Sequence, residues 1–216
     1  MAALFMLILK LIIMPQTTKK TTTRSSDTAN NTNTREDKNA PLMQLFTDAL
    51  KDMYWAEQAI IEGLKKMQQA ATNEELTEAF EDHEMETKKH VSRLEKVFEQ
   101  IGLPAEAKKC AAMEGILKEA EEIIKNTPEG SATRDAGLII AAQKVEHYEI
   151  ASYGGLVAIA HTLGQTKAAK LLQKTLDEEE ETDLHLTDIA ETAINFEAAE
   201  EGDEADEKEA PETAEA

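Results

Sequence analysis

Aromatic residues make up only 4% of this 216-residue chain, and it has nine glycines, five prolines and one cysteine. With so few aromatic and β-branched residues alternating at a period of two, an all-β fold has little support. Scarce glycine and proline leave long stretches without a break, and Ala, Leu, Glu and Lys fill them. These residues propagate helices well, so the expected class is all-α. The lone Cys110 can form no internal disulfide, which fits a reducing, cytoplasmic compartment. Only Lys108 and Lys109 stand near it in sequence, so it reads as a small apolar filler rather than a reactive thiol. Basic residues are also in short supply: 23 Lys and Arg face 43 Asp and Glu, a net charge of −20. Phosphate binding needs a basic stripe, so nucleic acid is not expected as a direct partner.

No apolar run reaches the roughly 20 residues that cross a bilayer. Residues 1–14 (MAALFMLILKLIIM) come closest, interrupted by Lys10, with no basic leader and no small-residue cleavage pattern. Either translation starts at Met14 or this run touches a membrane or directs export; otherwise no membrane partner is expected. The Thr/Asn-rich stretch that follows cannot bury a core, so residues 1–40 read as a disordered or mis-assigned extension. Residues 41–197 read as the folded domain. Residues 198–216 read as an acidic, solvated tail, and nearly half of the net charge lies in the last twenty residues.

Within the domain the punctuation is sparse. A first helix is expected over 42–71, behind Asn39 and Pro41, and a second over 74–101, capped by Asn73 and ended by Gly102-Leu103-Pro104. A shorter helix over 106–126 sits in the long connection. A third long helix follows over 132–162, stopped by Gly164, and a fourth over 167–196. Two antiparallel hairpins joined by one long crossover is the ferritin-like four-helix bundle topology, here with a short extra helix in the crossover, although periodicity alone does not separate it from other helical bundles.

Each long helix interrupts its apolar stripe with polar groups. The first carries Glu57 among Met53, Ile60 and Leu64; the second carries His83, Glu86 and His90. The third carries Glu146 and Glu149, and the fourth Glu179 and Asp183. Glu57 and Glu86 each lie about 15 residues from the first turn, and Glu149 and Glu179 about 15 from the second. At about 1.5 Å per residue each pair sits at matching height, roughly 20 Å from its turn. Any single acid in such a stripe is commonly a boundary residue, and the run Asp177 to Glu181 reads by default as a solvated face. Four acids at one depth are harder to place in water. Burying them together without counter-charge is costly, and a pair of cations removes that cost. Oxygen donors with one or two imidazoles suit iron or manganese, and zinc can occupy the same donors.

The stretches LFTDALKDMYWAEQAI, FEDHEMETKKHVSRLE, CAAMEGILKEAEEII, AAQKVEHYEIASYGGL and AAKLLQKTLDEEEETD, with LTDIA, resemble the YciE/YciF-type ferritin-like stress proteins. The resemblance covers about residues 42–197. It implies a ferritin-like fold, a homodimer and a di-metal centre. Ferritin-like proteins place Glu on one helix and Glu-x-x-His on the next, then repeat the pattern. Carried over, this implies Glu57, Glu86, Glu149 and Glu179 as metal ligands. Lys89, not histidine, stands three after Glu86, so the imidazole would come from His90 or His83. Thr182 stands three after Glu179, which leaves Asp183 as the fourth helix's further donor, and Glu146 doubles the glutamate of the third. The expected function is a di-iron protein that oxidises ferrous iron with dioxygen or hydrogen peroxide, with Tyr153 beside the ligands. The alternative is a non-catalytic dimeric bundle with a structural metal.

Overall fold

A computed structural model of the chain describes residues 33–201, and side chains from residue 40 onward. Expectations for residues 1–32 and for the tail beyond 201 fall outside the described residues. Among the described residues the chain forms five α-helices: α1 Asn33–Ala70, α2 Glu74–Gln100, α3 Ala111–Asn126, α4 Ala132–Thr162 and α5 Thr166–Ile189. There is no strand among the described residues. Among the described residues, those from Asp37 onward form one compact unit. The two hairpins α1–α2 and α4–α5 build a ferritin-like four-helix bundle, and α3 packs along its side against α4. None of the described helices is long and apolar enough to cross a membrane.

The helix ends follow from local chemistry. Asn73 caps α2 by accepting from the Leu76 N–H at 3.1 Å, and Ser131 caps α4 by accepting from the Arg134 N–H at 3.1 Å. Gly164 takes φ 74° just past α4, and the Gln165 N–H then reaches back to the Ala160 carbonyl at 2.8 Å. Without a Cβ, glycine holds this left-handed conformation at little cost. Cys110 is buried, as a filler should be, and it also caps α3: its sulfur accepts from the Met113 N–H.

Two ends differ from expectation. α1 begins at Asn33 and runs through Pro41 rather than starting at it, forgoing the hydrogen bond that a proline nitrogen cannot donate. α5 gives way to a π-helical turn, Ala190–Ile194, before the backbone resumes α-helix to residue 201. Ile194, in this wider turn, is fully buried in the core. Glu201 then accepts from the Ala132 and Thr133 N–H groups at 2.6 and 3.0 Å, placing negative charge at the start of α4.

Hairpin and crossover are pinned to each other at this end. Asp135, on the first turn of α4, accepts from the Thr72 N–H at 2.9 Å and the Asn73 N–H at 2.8 Å. Consequently the α1–α2 turn and the start of α4 share one end of the bundle, and all four long helices pass one another at mid-length. The apolar interior falls into two clusters there. One holds Ala56, Ile60, Leu64, Phe80 and Leu186; the other holds Phe46, Met53, Leu94, Tyr153 and Leu172. What lies between them is polar.

Candidate metal centre

The break between the two apolar clusters is a layer of six ionisable side chains. α1 contributes Glu57, α2 His83 and His90, α4 Glu146 and Glu149, and α5 Glu179. The helical repeat that buries Phe80 and Leu94 on α2 necessarily buries His83, Thr87 and His90 between them. None of the six is more than 3% exposed.

Their donor atoms form two overlapping groups. In one, atoms of His83, Glu146, Glu149 and Glu179 all lie within 4.8 Å of one another; in the other, those of Glu57, His90 and Glu179 do. Glu179 belongs to both. His83 Nε2 stands 3.2 Å from Glu146 Oε1 and 4.0 Å from Glu179 Oε2. His90 Nδ1 stands 2.9 Å from Glu179 Oε1 and 3.7 Å from Glu57 Oε2. These atoms are close enough to attract yet not aligned as hydrogen bonds. Ten donor atoms of the six residues are buried with no hydrogen-bond partner, the eleventh such atom among the described residues being Asp183 Oδ1. Buried polar groups are almost always satisfied, so this concentration needs an explanation. A cation held among these atoms would satisfy them, because clustered carboxylate and imidazole lone pairs are able to coordinate a metal. The donor set is oxygen-rich with two imidazoles, which fits iron, manganese or zinc.

Protons fill the cluster when no cation does. Burial pushes the Glu149 carboxyl well above the usual range, and Glu179, Glu57 and Glu146 push it further. Glu179 rises to about 7, because burial outweighs the pull of His90. Burial works against a charged His83, but Glu146 and then Glu179 overcome it and hold the imidazole up at about 9. For His90 burial is likewise overcome, by Glu179 and Glu57, and the group rises to about 11. Imidazolium charge thus partly balances the acids, and metal must displace it.

Two supporting contacts were not legible in the sequence. His90 Nε2–H donates to Glu178 Oε2 at 3.0 Å, so its other nitrogen, Nδ1, is the one facing Glu57 and Glu179. Glu178 is itself held by the two terminal guanidinium nitrogens of Arg93, Nη1 and Nη2, and Nη1 also donates to Thr175 Oγ1 at 3.1 Å. Burial opposes ionisation of Glu178, but Arg93 and His90 win and lower it to about 2. Such carboxylate–histidine pairs fix the ring a metal would use. The signal for Arg93 was its place one turn beyond His90 on a buried face; Glu178 was hidden in an acidic run. Tyr153 is fully buried, and its hydroxyl donates to Glu57 Oε1, leaving Oε2 toward the cluster.

Glu86 and Asp183 stand outside the cluster. Glu86 is half-buried and lines an open groove between α2 and α5, because the inward face of α2 runs through Thr87 rather than its neighbour. Asp183 is half-buried on α5: its Oδ1 is buried without a hydrogen-bond partner but joins neither donor group, and its Oδ2 lies 3.2 Å from Nε2 of the exposed His147.

A buried acid held protonated is a standing cost that an amide of the same shape avoids. Glu149→Gln is therefore expected to raise the stability of metal-free protein at pH 7.5, because burial and the neighbouring acids hold this carboxyl well above its usual range. The same variant should lose metal. Paired urea melts and metal titrations check both, and a destabilised metal-free variant would count against a functional role for this acid.

A helical bundle whose apolar core is split by a carboxylate–imidazole layer defines the class: a ferritin-like protein with a cluster able to hold metal. The family described as a domain of unknown function (DUF892) matches residues 41–199, and the chain belongs to it. It is 48% identical over 155 residues to protein YciF of Escherichia coli K12, covering 71% of this chain and 93% of that one. The crystal structure of YciF, described as a stress protein, superposes with a TM-score of 0.68 at 46% identity, covering 71% of this chain and 97% of that one. YcfI from Rhodopseudomonas palustris superposes with a TM-score of 0.66 at 37% identity, covering 68% and 92%.

Proposed function

We propose that the buried cluster is a two-metal centre, with iron as the resident ion and manganese or zinc able to take the same donors. In this reading the protein oxidises ferrous iron with dioxygen or hydrogen peroxide, a role that would suit a relative of a stress protein. The observation that carries it is the position of Glu179, common to two donor groups and lacking any hydrogen-bond partner of its own. A carboxylate shared in this way would serve both ions.

His83, Glu146 and Glu149 would hold one ion, Glu57 and His90 the other, and Glu179 both. When bound, a pair of ferrous ions supplies the two electrons that, with two protons, take hydrogen peroxide to two waters. The remaining work belongs to the chain. Tyr153 orients the Glu57 carboxylate, the Arg93–Glu178 pair fixes the His90 ring, and the apolar clusters on either side exclude bulk water. A homodimer resident in the cytoplasm is part of the proposal, supported by the family resemblance and by the single unpaired cysteine.

The near-complete burial of all six donors favours a second reading, a structural ion that holds the helices together without turnover. Metal analysis of protein from iron-supplemented cells, followed by an oxygen-electrode trace on adding ferrous salt anaerobically and then admitting air, separates the two. About two irons per chain and stoichiometric oxygen uptake are expected. Tight zinc with no uptake would establish the structural reading instead.

A further inference from the structure

The six donors lie in the middle of the bundle, with apolar side chains above and below them, so a hydrated cation cannot reach them through the core. One face is different. Between α2 and α5 an open groove of about 720 Å³ runs alongside the cluster, and His83 lines it. Three smaller cavities beside α1 and α3 are lined by none of the six donors. His83 is 3% exposed, and neither ring nitrogen has a hydrogen-bond partner. The groove therefore ends on a buried, unsatisfied imidazole that belongs to the cluster.

The walls of the groove are acidic. α2 supplies Glu75, Glu78, Asp82 and Glu86, and α5 supplies Glu181. None of these five pairs with a lysine, arginine or histidine within 4.0 Å among the described residues, although Lys89 and His185 also line the groove. On α2 the four carboxylates recur every three or four residues, so each stands about 5–6 Å along the axis from the last. The row of carboxylates starts on the first turn of α2, at Glu75, and reaches the level of His83 at Asp82 and Glu86. A row of unpaired carboxylates at that spacing lets a divalent cation step inward while exchanging its waters gradually. It also concentrates cations at the mouth, and such focusing raises association rates by roughly 10- to 1,000-fold at low salt.

We propose that this carboxylate-lined groove is the route by which divalent cations reach the buried cluster, with His83 as the first acceptor at its floor. The proposal rests on the two-metal reading of the cluster, and it gives Glu86 a role in transit rather than in the final coordination. The acids of the groove act on the rate of loading. Those of the cluster act on its extent.

Cobalt(II) is a suitable probe, since it develops visible absorbance on entering a mixed nitrogen and oxygen site, and loading of the full-length, metal-free chain can be followed by stopped flow. The variant Glu78→Gln/Asp82→Asn/Glu86→Gln changes side chains that are exposed or half-buried and outside the cluster. It is expected to load roughly tenfold more slowly than wild type at low ionic strength, reach the same final absorbance, and lose most of that difference in high salt. A control with the same loss of charge on α3, Glu119→Gln/Glu121→Gln/Glu122→Gln, should load at the wild-type rate. Loading of the groove variant at the wild-type rate would overturn the route. So would a lower final absorbance, which would make the groove acids ligands, or equal slowing in the α3 control, which would reduce the effect to net charge. Absence of any cobalt band in wild type, or a band unchanged in Glu179→Ala, would remove the two-metal reading itself.

Discussion

Metal loading is expected to reverse the sign of the protein's pH–stability profile. In metal-free protein the His83 and His90 imidazoles are raised to about 9 and about 11, above the roughly 6.5 of an unfolded histidine. Each contributes stability that is fully present below pH 6.5 and lost as pH rises toward the folded value. Glu149 is raised and Glu179 is raised to about 7; a carboxyl raised on folding destabilises progressively above the unfolded value near 4.3. All four groups therefore act in one direction. Glu178, lowered to about 2, opposes them only on acidification below about 4.5, outside the window that matters. At about 1.4 kcal/mol per unit and group, and with the coupling between neighbours discounted, metal-free protein should lose roughly 3 kcal/mol between pH 6.5 and 8.5. For a domain of this size that is a fall in Tm of about 10 °C. The loaded protein carries no protons on its ligand atoms, so it should gain stability from pH 5 to 7 and then level off. Thermal melts with and without bound metal across this range test the reversal. Parallel profiles would mean that metal does not displace the cluster's protons.

Glu179→Ala is expected to abolish binding of both ions, whereas Glu57→Ala and Glu146→Ala should each spare one. The contrast follows from membership of the two donor groups: Glu57 belongs to one, Glu146 to the other, and Glu179 to both. Loss of an outer-shell partner typically costs about 10–100-fold in metal affinity, so loss of the shared carboxylate should exceed ~100-fold for each ion. Isothermal titration with cobalt or manganese reads this directly as stoichiometry: two for wild type, about one for either single-group variant, none for Glu179→Ala. Removal of a buried acid is not expected to unfold metal-free protein, because the cluster is over-supplied with negative charge. Equal loss in all three variants would point to a single ion held by the whole layer.

The helix order was legible because its punctuation is local chemistry. Gly102, Gly164 and Asn73 ended or began helices where their backbone preferences and side chains said they should. Depth was partly legible: counting residues from the turns placed Glu57, Glu86, Glu149 and Glu179 at one level, and donor atoms of Glu57 and of Glu149 each lie within 4.8 Å of Glu179, whereas Glu86 joins neither donor group. Facing was harder. On α2 an inward stripe can pass through position 86 or 87 between His83 and His90, and periodicity does not choose; the bundle buries Thr87 and leaves Glu86 at the groove. Neighbouring acids on α5 posed the same problem. Glu178 and Glu179 differ by one step around the helix, and only the position of Arg93 on the facing helix separates a supporting contact from a cluster member. Such distinctions depend on the rotation of one helix against another, which no single helix encodes.

The most direct test is anomalous diffraction at the iron edge from crystals of protein loaded with ferrous iron. Two peaks on either side of the Glu179 carboxylate are expected, one toward His83 and Glu146 and the other toward Glu57 and His90. A layer with no anomalous density at full iron occupancy in solution, or with iron confined to the surface acids, would contradict the shared-carboxylate centre.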